Sequence, residues 1–368
     1  MTSVAPKSEL IIRAVQYRDL EAAQALLSQA DDLPCTSTLL SLPGHLQSLR
    51  HSPAQHLNLL SLRSPIRNYV AIAPSEVIGV IQVAAGNQAR TTWKIQALAV
   101  HPKHSFVEIG TALLRHCLQS VYEAHTWLVE LDVNRNDLIG VYRSNGFQPI
   151  AHATHWSLVS AQLASLSSQP SNLSPLLTIS NADAALLYQL DTVAMPPFVR
   201  QVLDRRVQDF TRDIASRLWS TVSQSFSTHK ILDGYVFEPQ RKVAIGCFEL
   251  CLCKDSTVPH IGQMTVHPAY TWLYPQLLSH MAELTQSVSA ASLLLTSADY
   301  QSEREDYLSE IGAERVGHSL VMSRSVWHKL RETRKNALET LPLAEVWQGL
   351  QPKQTPVPGR MKGNGNWL

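Results

Sequence analysis

The densest chemistry in this chain lies where a loop runs into a helix, at Ser105-Phe106-Val107-Glu108-Ile109-Gly110. An α-helix begins with unbonded N–H groups and the positive end of its dipole, so its mouth attracts an anion. A glycine such as Gly110 lets a ligand approach the backbone closely. Ser-x-x-Glu before an apolar helix is also a capping box, in which Ser105 and Glu108 satisfy those amides themselves. The Glu108 carboxylate opposes an anion besides: at ~4 Å a charge pair costs about 1 kcal/mol in water and about 4 kcal/mol at an effective dielectric of 20. Lys103, His104 and Arg115 offset part of that repulsion. Glu130, His101 and His104 are the nearby groups able to move protons, His101 and His104 through water. A His-Pro pair after a strand also has a plain loop reading.

Position in the chain sets these residues on elements. The strand-like run IQALAVHP (95–102) precedes the loop, and a helix is predicted from about Ile109 to Glu123. A strand over 128–133, a short helix around VYRSNGF (141–147) and a final strand pair follow. Upstream, LIIRAV and an amphipathic helix carrying Leu20, Ala23 and Leu27 lead to a hairpin turning at Pro74–Glu76.

The same order recurs. LTISNADAALLYQL repeats the opening strand and helix, and GYVFEP with KVAIGCFELCLC repeats the hairpin. IGQMTVHP (261–268) repeats IQALAVHP, and DYLSEIGAERVG (306–317) repeats the helix and strand after it, which pairs Tyr307 with Tyr142. Two elements matching in kind and spacing indicate duplication. The expected units are 1–158 and 177–330, joined by an uncharged Ser/Gln/Pro linker at 159–176. Residues 331–368 are expected to form a helix and a Pro/Gly-rich tail, a candidate protein contact through Trp347 and Trp367.

Bulk properties bound the function. Hydrophobic content of 45% and a charged fraction of 17% fit a globular protein of two domains. A net charge of +1 gives no basic face for nucleic acid, and no apolar run approaches ~20 residues, so no membrane span is expected. The N-terminus lacks a signal-peptide core. Five cysteines fit a reducing cytoplasm, and Cys251 with Cys253 read as buried thiols on one side of a strand.

The series IQALAVHP, GTALLRHCLQ (110–119), LVELDVN (128–134) and VYRSNGF resembles the core of the Gcn5-related N-acetyltransferase (GNAT) superfamily. The resemblance implies an α/β fold of tandem GNAT-type units, each a mixed central sheet flanked by helices. It implies acetyl-CoA as acyl donor, with the pantetheine arm along Leu98, Ala99 and Val100. The pyrophosphate would lie at a loop shaped Gln/Arg-x-x-Gly-x-Gly/Ala, here reduced to Gly110 with Ile109 and Thr111 beside it. Ser105 stands in place of Gln or Arg, and Glu108 in place of the first glycine. Asn136 lies near a coenzyme-contacting Asn of the family, although the register puts Arg135 there and Asn136 also reads as a helix cap. Tyr142 occupies the position of the acid that protonates the leaving thiolate, with core packing as its other reading. Glu130 is the first candidate for the base, and Gln96 stands where some relatives carry a carboxylate.

In the second unit AYTWLYPQ holds no glycine, and Tyr270, Trp272 and Tyr274 are expected to fill the pyrophosphate space, with Pro275 lacking an N–H. This unit is expected to be non-catalytic, Tyr307 serving as packing. The implied activity is transfer of an acetyl group to an amine of a small molecule or a protein. The alternative is a non-catalytic scaffold or regulator that binds a protein or senses acyl-CoA.

Overall fold

The computed structural model describes residues 10–29, 39–40, 66–74, 76–169, 173, 175–211 and 229–326. They fall within one compact body, Met1–Trp327. The basic helix and tail expected beyond it, with Trp347 and Trp367, lie outside the described residues.

The first half runs β1 (Ile11–Ala14), α1 (Leu20–Gln29), β2 (Ile66–Ala73), β3 (Glu76–Ala85), β4 (Thr92–Val100), α2 (Phe106–Ser120), β5 (Thr126–Asp132), α3 (Asn136–Ser144) and β6 (Gln148–Leu158). After α4 (Ser160–Ser167) the second half runs β7 (Leu176–Leu177), α5 (Ala184–Ala194), α6 (Pro197–Leu203), β8 (His229–Glu238), β9 (Val243–Cys253) and β10 (His260–Val266). It ends with α7 (Leu273–Gln286), β11 (Leu293–Ala298), α8 (Ser302–Glu310) and β12 (Glu314–Ser325).

All the described strands join one 12-stranded sheet in the order β1-β2-β3-β4-β5-β12-β6-β11-β10-β9-β8-β7. The halves exchange their last strands. β12 pairs antiparallel with β5 from Ser319↔Asp132 to Ser325↔Thr126, while β6 pairs with β11 from Leu293↔Leu158 to Ala298↔Ala153. Leu320 and Met322 of β12 therefore enter the first core, and Trp156 and Leu158 of β6 enter the second. Neither contiguous range, 1–158 or 177–330, holds every strand of its own sheet.

The stretch expected as a linker begins instead with α4. Leu163 and Leu166, one turn apart, are buried in the second core. The absence of charge that suggested a linker reflects a helix packed on the second half.

A glycine sets how one helix of each core lies on its sheet. A Cβ at Gly79 of β3 would stand 2.8 Å from Ile109 Cγ2 and 3.0 Å from Leu113 Cδ1 of α2. Gly246 of β9 lies likewise against Leu273 and Leu277 of α7. This contact superposes the two units residue by residue and puts Tyr274 in the place of Gly110. At the other end, Gly146 (φ 83°) and Gly312 (φ 75°) stop α3 and α8 in the left-handed region. The carbonyls that accept the N–H after each glycine belong to Tyr142 (3.1 Å) and Leu308 (2.9 Å). Leu308, not Tyr307, is therefore the counterpart of Tyr142.

Candidate active site

The first unit opens between β4 and β5. Their parallel ladder runs from Thr92↔Thr126 to Ile95↔Val129 and stops. At that point the β3–β4 register passes from Val83↔Ile95 to Gln82↔Ala97, leaving exposed Gln96 as an extra residue. Such a bulge bends its strand and increases local twist, which swings Leu98–Val100 away from β5 while β3 continues to pair them. Leu98 and Val100 pack toward the core under α2, and Ala99 lies on the other face with α1.

The loop feeding α2 is tight. Ser105 is the N-cap with extended backbone, and its Oγ accepts the Glu108 N–H at 3.4 Å. The reciprocal bond from the Ser105 N–H to the Glu108 carboxylate is not formed, so half of the expected capping box is present. Glu108 is exposed at the mouth, where its charge faces any incoming anion. The cap starts the helix at Phe106, ahead of the Ile109 predicted from apolar spacing. Gly110 is buried, and a Cβ there would sit 3.4–3.6 Å from Phe106 and Leu98, an ordinary contact. Half-buried Thr111 shares Asn145 with Arg115: Asn145 Nδ2 donates to Thr111 Oγ1 at 3.5 Å, and Arg115 Nε donates to Asn145 Oδ1 at 3.2 Å. Arg115 is thereby held on the same helix as Glu108.

Asn136 is exposed as the first residue of α3. The cap is Arg135, which pairs with Asp137 at 3.0 Å, so the capping alternative for Asn136 does not apply. His101 Nδ1 accepts the Lys103 N–H at 3.3 Å, and His267 Nδ1 accepts the Ala269 N–H at 3.1 Å. The His-Pro step thus performs the same loop-closing task in both units.

The two proton-transfer candidates lie on opposite faces of the sheet. Tyr142 is 2% exposed, packed with Val129 and Leu131 of β5 and edge-to-face on Phe147 at 5.2 Å. Burial raises its phenol, which stays protonated at neutral pH. Glu130 alternates to the other face. It is 9% exposed and accepts from Ser319 Oγ at 2.5 Å. His155 Nε2 lies 3.0 Å from Ser319 Oγ and 3.5 Å from Glu130 Oε1, while its Nδ1 lies 3.4 Å from Thr296 Oγ1. A buried polar row therefore crosses β5, β12, β6 and β11 at the seam. Burial lowers the His155 imidazole, with Glu130 opposing. On the same face, burial and Arg205 bring half-buried Lys94 down to about 7 against the pull of Glu130.

His155, Thr296, Ser319 and Lys94 are absent from the sequence reading. Each is an unremarkable polar residue of a strand until the exchange of β6 and β12 places three of them in one row.

In the second unit β9 and β10 stay in register without a bulge, and the β10–β11 ladder stops after His260↔Leu293 and Ile261↔Leu294, so these strands also part. Arg304 of α8, 3% exposed, donates from Nη1 to the Met264 carbonyl at 3.1 Å. Met264 is the counterpart of Leu98, so a guanidinium occupies backbone that the first unit leaves open. Tyr274, 6% exposed, fills the Gly110 position as expected. Trp272, by contrast, is 55% exposed and fills nothing.

Residues 65–149, which span this gap and its loop, match the family model described as an acetyltransferase (GNAT) domain. That stretch of the chain is a GNAT domain. The fold of the chain is that of tandem GNAT structures. A tandem GNAT protein from the clavulanic acid biosynthesis pathway superposes with a TM-score of 0.52 at 15% identity, covering 86% of this chain and 98% of that one. A GCN5-related N-acetyltransferase from Sphaerobacter thermophilus gives 0.52 at 12% identity, covering 86% and 95%. No curated protein matches the sequence. At these identities the likeness establishes the fold, and the GNAT fold supports N-acyltransferase chemistry in general. Among the described residues, no helix is long and apolar enough to cross a membrane.

Proposed function

We propose that this chain is an N-acetyltransferase whose first GNAT unit, residues 1–158 completed by β12, takes acetyl-CoA between β4 and β5. The observation that carries this reading is the contrast between the units: a bulged, opened strand pair in the first and an arginine-filled one in the second. The pantetheine arm pairs with Leu98–Val100, and the pyrophosphate rests at Ile109, Gly110 and Thr111, with Asn136 at the far wall. Tyr142 lies beneath one face of the sheet and Glu130 on the other. In transfer through the gap, the amine nitrogen bonds to the thioester carbon and the C–S bond breaks. The amine proton leaves toward Glu130, and the thiolate takes a proton from Tyr142. The acceptor is an amine of a small molecule or a protein, and the second unit is structural or recruiting. The free cysteines are compatible with a cytoplasmic location.

A second reading is an acyl-CoA sensor without turnover, favoured by one amide already taken by Ser105 and by the sealed phenol of Tyr142. Calorimetric titration with acetyl-CoA and desulfo-CoA, followed by thiol release across an amine panel, separates the two. Micromolar binding with thiol release supports the enzyme, and binding without release supports the sensor. No binding up to millimolar acetyl-CoA sinks both and leaves a scaffold that binds a protein.

A further inference from the structure

The buried row that crosses the seam has a direction. Glu130, as a base, is a carboxylate and has no hydrogen to donate. The hydrogen in its 2.5 Å bond to Ser319 Oγ is therefore the serine's. A hydroxyl has one hydrogen, so toward His155 Nε2 at 3.0 Å the serine offers a lone pair, and Nε2 carries the hydrogen. The same nitrogen lies 3.5 Å from Glu130 Oε1. Burial favours the neutral imidazole against the pull of Glu130, which leaves Nδ1 bare to accept from Thr296 Oγ1 at 3.4 Å. Every hydrogen in the row points from β11 toward β5.

The duplication supplies an internal control. Ala153 and Ser319 pair in the β6–β12 ladder, and the bulged residues Ile150 and Val316 stand equally far before them on the two strands. Gly146 and Gly312 precede the same pair by equal distances as well. The outer ladders agree, Ala153 pairing with Ala298 and Ser319 with Asp132. Glu130 is thus the counterpart of Thr296, and His155 of Val321. The two central positions are polar in one copy, Ser319 and His155, and apolar in the other, Ala153 and Val321. Ser319 is 1% exposed and His155 2%. Burying them costs free energy unless they are bonded, and a seam that only packed would be served by alanine and valine. The departure from symmetry joins a hydroxyl of the second half to the carboxylate of the first.

We infer that His155 is a positioning residue for acetyl transfer in the first unit, acting on Glu130 through Ser319. The donors of the row converge on Oε1 and hold the carboxylate in its charged form. Oε2 is left for the proton of the acceptor amine. The row does not carry that proton away, because Nε2 already bears a hydrogen and cannot take another. The proton leaves Glu130 by way of Oε2, not through the seam. This role rests on the proposed enzyme and on Glu130 as its base.

NMR of the histidine ring nitrogens in the full wild-type chain at neutral pH reads the tautomer without turnover, the His155 signals being those lost in His155→Gln. A protonated Nε2 with a bare Nδ1 is expected, and a bare Nε2 or an imidazolium would overturn the inference. The side-chain carboxylate signal of Glu130, identified by its loss in Glu130→Gln, is then followed through a pH titration. Removing donors disfavours the charged form, so His155→Leu should raise the Glu130 pKa by about one unit. His155→Gln, whose amide N–H stands in for that of Nε2, should hold it near the wild-type value. No shift in His155→Leu, or equal shifts in both variants, would overturn the inference. The other charged groups facing the row, Lys94 of β4, Asp132 of β5 and His318 of β12, are the same in every variant. In thiol-release assays the acid limb of kcat/KM should move upward in His155→Leu with KM for acetyl-CoA unchanged. A lower kcat with an unmoved acid limb would mark a merely structural residue and sink the idea. If neither the wild type nor any variant releases thiol, the enzyme reading fails, and the two spectra still decide whether His155 holds Glu130.

Discussion

Ser319 Oγ donates to Glu130 Oε1 at 2.5 Å, although the two residues come from opposite halves of the chain. The exchange of β12 into the first sheet makes that bond possible, and β6 returns the exchange by carrying His155 to the same pair. The candidate base of the first unit is therefore held in place by the second half of the molecule.

Ser319→Ala leaves the Glu130 carboxylate buried beside His155 without its hydroxyl donor. Losing a buried hydrogen bond to a charged group costs about 1.5–3 kcal/mol, and urea unfolding should show that loss with an unchanged slope. A change under about 0.5 kcal/mol would mean that Glu130 draws its support elsewhere. By the same logic, residues 1–158 expressed alone should be insoluble, because β5 then presents an open edge.

Glu108→Gly removes a carboxylate from the mouth of α2 and restores the residue type the GNAT loop uses. The Ser105 Oγ bond goes to a backbone N–H and survives the substitution. Acetyl-CoA binding should tighten by about tenfold at low salt, with a smaller gain as salt screens the charge. Unchanged or weaker binding in a calorimetric titration would show that Glu108 does not face the pyrophosphate.

The parts of this site that were legible in the sequence are local. The β4–loop–α2 run declares itself through IQALAVHP, the Ser105 cap and the apolar face of the helix, because helix period and capping act within a few residues. The strand exchange was not legible: β6 and β12 alternate in the same way whichever sheet they join, and pairing is decided by distant partners. The equation of Tyr307 with Tyr142 failed by one residue for a related reason. Spacing was measured from Pro102 and Pro268 across loops of unequal length, whereas helix phase is set from the far end, by Gly146 and Gly312. Leu163 and Leu166 were hidden by a polar, uncharged neighbourhood that reads equally well as linker or as a half-buried helix.

Arg304→Leu tests whether the second unit has closed its gap at a cost. The guanidinium is 3% exposed, burial lowers its pKa, and its Nε and Nη2 have no partner. The first unit has Leu138 at the corresponding position. Replacing an incompletely satisfied buried charge by an apolar residue of similar length should raise stability by about 1–2 kcal/mol, although the Met264 carbonyl loses a donor. A fall of that size in the denaturation midpoint would instead identify Arg304 as a net stabilising plug.

Lys94→Met gives a pH-dependent signature. Burial and Arg205 bring the Lys94 amine down to about 7 in the folded chain, from an ordinary 10.5. Between those two pH values the unfolded chain carries the extra proton, so the lysine's contribution to stability rises as pH rises through that window. Below pH 7 both states are protonated and the full cost of burying the charge is felt. The methionine variant has no such group, so it should exceed the wild type in stability most at pH 6–7, with the difference shrinking toward pH 10. The groups facing Lys94, namely Glu130 and Arg205, are shared by both proteins and largely cancel in the comparison. Chemical denaturation of the pair at pH 6.5, 8 and 9.5 measures the trend. A difference independent of pH would show that Lys94 keeps its proton in the folded state, held by Glu130 strongly enough to cancel its burial.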